Sequence, residues 1–181
     1  MNKNIKITKS WAMPNKNTFS IKPIRELLNR YIKPELLSID AFANNSNIAT
    51  ITNDIDTLYH TDYNLDALDF YKLFDSNSVD IVLYDPPYSS RQVSEIYRKL
   101  DKTVDFETTS ARYWRLQKDE ISRILKPSGI CISFDWNSNG IGKCRGFYTM
   151  EILLVAHGGK HNDTIVTVEK KINKNKIGGF L

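Results

Sequence analysis

Val79-Asp80-Ile81-Val82-Leu83-Tyr84-Asp85-Pro86-Pro87-Tyr88 decides how the rest of the chain is read. Ile81, Val82 and Leu83 form a short apolar run after the turn-like Asp75-Ser76-Asn77-Ser78, which marks a buried strand. The strand cannot run on through Pro86 and Pro87. Each proline removes a backbone donor and fixes φ, and each pushes the residue before it to extended geometry. A rigid turn rich in carbonyls therefore closes the strand, with Asp85 before it and Tyr88 after it. In open α/β sheets, ligands bind at the carboxyl ends of the strands.

Working upstream, Leu65–Phe74 reads as a helix that Asp66 opens, with an acid in its first turn. Leu36–Phe42 and Ile48–Asp54 read as two strands, ending near Asp40 and Asp54. Only Ala43-Asn44-Asn45-Ser46-Asn47 lies between them, whereas a parallel crossover usually takes about a dozen residues. The helix after the first of these strands is therefore expected to be reduced. Further back, Ile24, Leu27, Leu28, Tyr31 and Ile32 recur at helical spacing, with Ser20 as the expected cap, Pro23 in the first turn and Pro34 as the stop. Residues 1–18 are expected to form an irregular N-terminal arm.

Downstream, Ser89 and Gln92 have capping-box spacing. Val93, Ile96, Tyr97 and Leu100 make one face of the helix that follows. A mobile loop is expected over Asp101–Ser110, then a second helix from Thr109 to Leu125 with Tyr113, Trp114, Ile121, Ile124 and Leu125 inward. Arg91, Arg98, Lys99, Lys102, Arg112, Arg115 and Lys118 lie off those faces. They suit a phosphate backbone and equally suit solvent. Leu125–Gly129 is a turn and Ile130–Asp135 a strand. Trp136-Asn137-Ser138-Asn139-Gly140 should reach the same edge as Asp85, as pocket wall or as plain loop. Phe147–Ala156 and Thr164–Glu169 close the chain as a hairpin. Residues 19–170 make one domain, and residues 171–181 a basic tail.

This order of motifs resembles that of the amino-methyltransferases that use S-adenosylmethionine, above all the DNA adenine-N6 family, whose D-P-P-Y motif stands here as Asp85-Pro86-Pro87-Tyr88. The resemblance implies a Rossmann-like class I methyltransferase fold (α/β, a mostly parallel sheet with an antiparallel C-terminal strand) and S-adenosyl-L-methionine as cofactor. It implies that Asp85 and the Pro86 carbonyl each accept one N–H of the target amine while Tyr88 stacks on a base swung out of its helix. Asp40-Ala41-Phe42-Ala43 matches the first cofactor motif, with Asn44-Asn45-Ser46 in place of the usual glycines. Asn tolerates left-handed backbone better than most residues. Asp54, with Asp56 as the competing choice, falls where the family places its ribose acid. Asp66-Ala67 falls where a carboxylate takes the adenine amine, although capping explains Asp66 equally well. Phe19 and Ile21 belong to a segment, Thr18–Ile21, expected over the methionine end. Arg91, Trp136 and Asn137 are the expected substrate contacts.

At 181 residues, 41% hydrophobic and 25% charged, the chain has the composition of one globular domain. A net charge of +4 is compatible with a polyanion. Cys131 and Cys144 point to a reducing, cytoplasmic setting rather than a disulfide framework. The first residues, Met1-Asn2-Lys3-Asn4-Ile5-Lys6, do not resemble a secretory leader, and no apolar run reaches spanning length. His157 and His161 lack neighbouring ligands at metal spacing, so no metal is expected. DNA is expected as the partner ahead of RNA. The chain has no room for a separate target-recognition domain, which leaves that task to loops, a homodimer or a recognition partner. Three other readings stand beside the leading one: an RNA base methyltransferase with the same motif, a non-catalytic methyltransferase-like subunit, and methylation of a protein amide.

Overall fold

The structure is a computed structural model and describes residues 4–104, 110–159 and 161–173. Val79–Tyr84 is a central strand, β4, buried at Val79 and from Ile81 to Tyr84. On one side it pairs in parallel with β2 (Ser38–Asp40), which pairs in parallel with β3 (Ile51–Thr52). On the other side lies β5 (Leu125–Asp135), also parallel. Beyond it β7 (Thr164–Lys171) runs antiparallel to both β5 and β6 (Phe147–Ala156). β1 (Lys6–Trp11) completes the sheet in the order β1-β6-β7-β5-β4-β2-β3, parallel to β6. The sheet is thus parallel apart from β7, the Rossmann-like methyltransferase arrangement.

Period-two burial puts helices on both faces. Ile81 and Leu83 meet Ile24, Leu27 and Leu28 of α1 (Lys22–Tyr31) on one face. Val82 and Tyr84 meet Phe70 and Tyr71 of α2 (Ala67–Lys72), and Ile121 and Ile124 of α4 (Ala111–Ile124), on the other. Between them α3 (Ser90–Lys99) follows the proline turn, capped by Ser89 Oγ on the Gln92 N–H. Full burial of a Leu or Ile side chain stabilises by roughly 1.5–3 kcal/mol, so three such residues on α1 fix its position against the sheet.

The connection from β2 to β3 contains no helix. Asn44 turns it at φ 50, and the Ala43 and Asn53 N–H groups bond across it to Asn53 and Asp40 carbonyls. Past β3, the isolated parallel bridge Asn53–Tyr63 extends the edge by one residue. The buried Asn53 side chain secures it, donating to the Ala41 and Leu65 carbonyls and accepting from the Leu65 N–H.

Several expectations need correction. The N-terminal arm is not irregular throughout: Lys6–Trp11 is an edge strand. Its alternation points the wrong way for sequence reading, because Ile7 and Trp11 are 69% and 65% exposed and backbone pairing holds the strand. Ser20 does not cap α1. It closes a 3-10 turn, donating to the Asn17 carbonyl, and Ile21 takes the cap position without a side-chain bond. β2 and β3 are shorter than expected. Leu125–Gly129 is not a separate turn but an irregularity inside β5, with Ser128 at φ 70 and a register shift opposite Val79–Ile81. Part of the expected Asp101–Ser110 loop, and most of the tail, fall outside the described residues.

Candidate active site

Parallel pairing brings the carboxyl ends of β2, β3, β4 and β5 to one edge. Each ends on or just before an acid: Asp40, Asp54, Asp85 and Asp135. Two cavities open there. The larger, about 470 Å3, is lined at one end by Asp54, Ile55, Asp56, Asp66 and Ala67, and at the other by Asp85 through Tyr88. Ala41, Phe42, Asn44, Tyr97 and Tyr113 form its walls. The second, about 350 Å3, lies between Thr18–Ser20 with Arg25 and the Phe42–Ile48 turn. Asp85, Thr18, Phe42 and Asn44 line both.

The proline turn is held rigidly. Trp114 Nε1 on α4 donates to the Pro87 carbonyl at 3.0 Å, not to that of Pro86. The Tyr88 N–H donates to Gln92 Oε1 at 2.6 Å, locking the turn to the first turn of α3. Tyr84 Oη reaches Gln117 Oε1 at 3.1 Å behind the turn.

The Asp85 carboxylate receives the hydroxyls of Tyr88 and Thr18. Burial pushes its pKa up to about 6, with the Asp135 charge adding to the rise and the two hydroxyls opposing it. Asp40 lies fully buried behind the cavities. Burial pushes it up to about 8 against the Phe42 N–H bond, helped by Asp85 and Asp54, and its Oδ2 has no hydrogen-bond partner among the described residues. Asp54 shapes the wall: its two oxygens accept the Asn44 and Asp56 N–H groups at 2.8 and 2.9 Å, and burial shifts it upward. A carboxylate has about four acceptor sites, so Asp54 retains capacity toward the cavity. Asp66 does cap α2 through the Leu68 N–H, and its other oxygen accepts from Tyr97 Oη.

Most of the residues singled out in sequence converge here. Asp54, Asp66, Ala67, Phe42, Ala43, Asn44, Asn45 and Phe19 all line one or both cavities. Ile21 instead borders a third opening with Tyr88, Trp136 and His157. Trp136 meets Tyr88 edge-on at 5.4 Å, and Asn137 is tied to Asp135 at 2.8 Å. Arg91 stands apart, exposed and paired with Glu95 at 2.7 Å. His157 is structural, bonded to the Ala12 carbonyl and to Thr164 Oγ1. Among the described residues there is no cluster of three or more potential metal ligands, and no helix is long and apolar enough to cross a membrane.

Sequence reading missed Thr18 and Arg25 as site residues, and it placed Tyr97 and Tyr113 among the core. Spacing alone cannot separate a helix face turned to the core from one turned to a cavity. The nearest signal was the Thr18–Ile21 segment as a whole.

No protein-family profile matches the chain, and no curated protein matches it in sequence. Solved structures do match in fold. The 1,6-didemethyltoxoflavin-N1-methyltransferase of Burkholderia thailandensis, solved with bound 1,6-didemethyltoxoflavin and S-adenosylhomocysteine, aligns with 83% of this chain and 77% of its own at TM-score 0.57 and 10% identity. TrmN from Thermus thermophilus aligns with 84% of this chain at TM-score 0.53 and 16% identity. This chain spans about half of TrmN, 49%. The [4+2]-cyclase SpnF aligns with 89% of this chain and 86% of its own at TM-score 0.54 and 11% identity. The shared property is the Rossmann-like methyltransferase fold. Since a cyclase shares it, the chemistry must be argued from the site.

Proposed function

We propose that this chain is an S-adenosylmethionine-dependent methyltransferase acting on the exocyclic N6 of adenine in nucleic acid, with DNA as the leading substrate. One observation carries the reading: the Asp85 carboxylate opens on both cavities, beside a turn whose prolines present carbonyls and no N–H. An aromatic amine is a weak nucleophile because its lone pair is delocalised into the ring. Two acceptors on its two N–H bonds hold the nitrogen nearer to tetrahedral and aim the lone pair.

The donor set fits the cofactor. Asp54 and Asp56 offer carboxylate oxygens at the larger cavity's far end, suited to a ribose diol. Ile55, Ala67 and Leu100 offer apolar surface there for an adenine ring. Bound, the cofactor supplies an electrophilic methyl on a positively charged sulfur. The chain's own residues do the rest. Asp85 accepts one amine N–H and the Pro86 carbonyl the other. With a pKa near 6, Asp85 is ionised at neutral pH and can take the proton the methylated amine sheds. Tyr88, beside Trp136 at the third opening, offers an aromatic surface to a flipped base.

The Tyr88 and Thr18 hydroxyls already occupy acceptor sites of the Asp85 carboxylate. That occupancy favours one second reading, a methyltransferase-like subunit that holds nucleic acid without turnover. Mass spectrometry of nucleosides from DNA and RNA incubated with the protein and S-adenosylmethionine separates the readings. N6-methyladenine in DNA supports the leading proposal. Its appearance in RNA alone moves the substrate to RNA, and a methyl group in neither pool favours the non-catalytic subunit.

A further inference from the structure

We infer that Arg25 is the residue that holds the carboxylate of the cofactor's amino-acid end, in the second cavity. The inference rests on the methyltransferase reading above and goes beyond it by giving that cavity an occupant and a recognition charge. Among the described residues that line it, Arg25 contributes the one cation and Asp85 the one anion. Asn17, Ser20, Asn44 and Asn45 fill much of the wall between with amides and hydroxyls. A guanidinium for the carboxylate, with amide and hydroxyl oxygens nearby for the ammonium, complements a zwitterionic amino acid attached to a sulfonium.

The fold explains why a side chain is needed. In doubly wound sheets, the N-terminus of the helix after the first strand commonly receives anionic groups. Here β2 passes to β3 through a turn, so that helix and its dipole are absent. Ala43 and Asn44 have already committed their N–H groups, to the Asn53 carbonyl and to Asp54. A guanidinium from α1, on the other side of the cavity, replaces the missing positive pole and can grip a carboxylate with two parallel bonds.

Arg25 is also well placed mechanically. α1 is pinned by Ile24, Leu27 and Leu28, all fully buried. The turn leading into it brings Thr18 to Asp85 and packs Phe19 on Phe134 at 4.9 Å. One continuous segment, Thr18–Arg25, thus supplies both the Asp85 contact and the guanidinium of this cavity. Arg30, a turn and a half further along α1, is by contrast committed to Glu151.

The test compares two ligands by titration calorimetry. S-adenosylhomocysteine carries the amino-acid end, whereas 5′-methylthioadenosine is an adenosyl thioether without it. Arg25→Gln is expected to weaken S-adenosylhomocysteine roughly tenfold to hundredfold while leaving 5′-methylthioadenosine within about twofold. Arg25→Lys should fall between wild type and Arg25→Gln. Arg25 is exposed, so both variants should keep the wild-type unfolding midpoint. If the wild type binds S-adenosylhomocysteine and Arg25→Gln binds it equally well, the assignment is wrong while the methyltransferase reading stands. Equal losses for both ligands also overturn it, because the effect would not track the carboxylate. A wild type that binds neither ligand overturns the assignment together with the reading beneath it.

Discussion

The Tyr88 hydroxyl donates to the Asp85 carboxylate, so the residue expected to stack on the substrate also tunes the residue expected to orient it. That bond favours the ionised carboxylate and opposes the upward push of burial. Tyr88→Phe keeps the ring and removes the donor. The proposed mechanism uses ionised Asp85, so methyl transfer should decline as pH falls through about 6. In Tyr88→Phe the acid limb of the pH–rate profile should move to higher pH, with the plateau rate within about tenfold of wild type. A limb that stays put would show that Asp85 does not govern the profile.

Asp40 ties stability to pH. Its folded pKa, pushed to about 8 by burial, lies above its ordinary value of 3.8. Between those values the folded state holds a proton that the unfolded state has released. The stabilising contribution is therefore complete below the ordinary value and is lost as pH rises toward 8. Asp40→Asn cannot ionise. Its unfolding midpoint should gain on wild type as pH rises from 5 to 8 in parallel denaturant titrations.

Gly140 stands at φ +53, and an added Cβ would lie 2.1 Å from Glu169 Oε2. That buried carboxylate accepts the Ile141 and Gly142 N–H groups at 2.5 and 3.2 Å. Gly140→Ala combines backbone strain with loss of buried hydrogen bonds and should cost about 2–4 kcal/mol by chemical denaturation.

Glu151 gathers Lys6, Arg30 and Tyr31, joining β1 and α1 to β6. Burial alone would raise its pKa, but those three partners hold it below the usual value. Its contribution is present above the unfolded value and is lost as pH falls through the folded one. Glu151→Gln should speed amide hydrogen exchange across Lys6–Trp11 about tenfold or more at pH 7, with β4 unchanged.

How much of this was legible in the sequence follows from which signals are local. The run Ile81–Leu83 and its proline stop are local, and so is the helical spacing of Ile24, Leu27 and Leu28. The missing helix was legible as a count of residues too small to hold one. β1 was hidden because its apolar side chains face outward. Thr18, Arg25, Tyr97 and Tyr113 were hidden for another reason: only the assembled sheet brings α1 with the turn before it, α3 and α4 around the Asp85 edge. Asp66 read equally as a cap and as a ligand. It is a cap that also lines the cavity.

The central claim is that Asp85 orients the amine rather than supporting the fold. Asp85→Ala tests it most directly, with methyl transfer to adenine measured beside calorimetric binding of S-adenosylhomocysteine on the same preparation. The account predicts a rate loss of about a hundredfold or more, with affinity within a fewfold of wild type. Retained methyl transfer, or a parallel collapse of binding and rate, would contradict it.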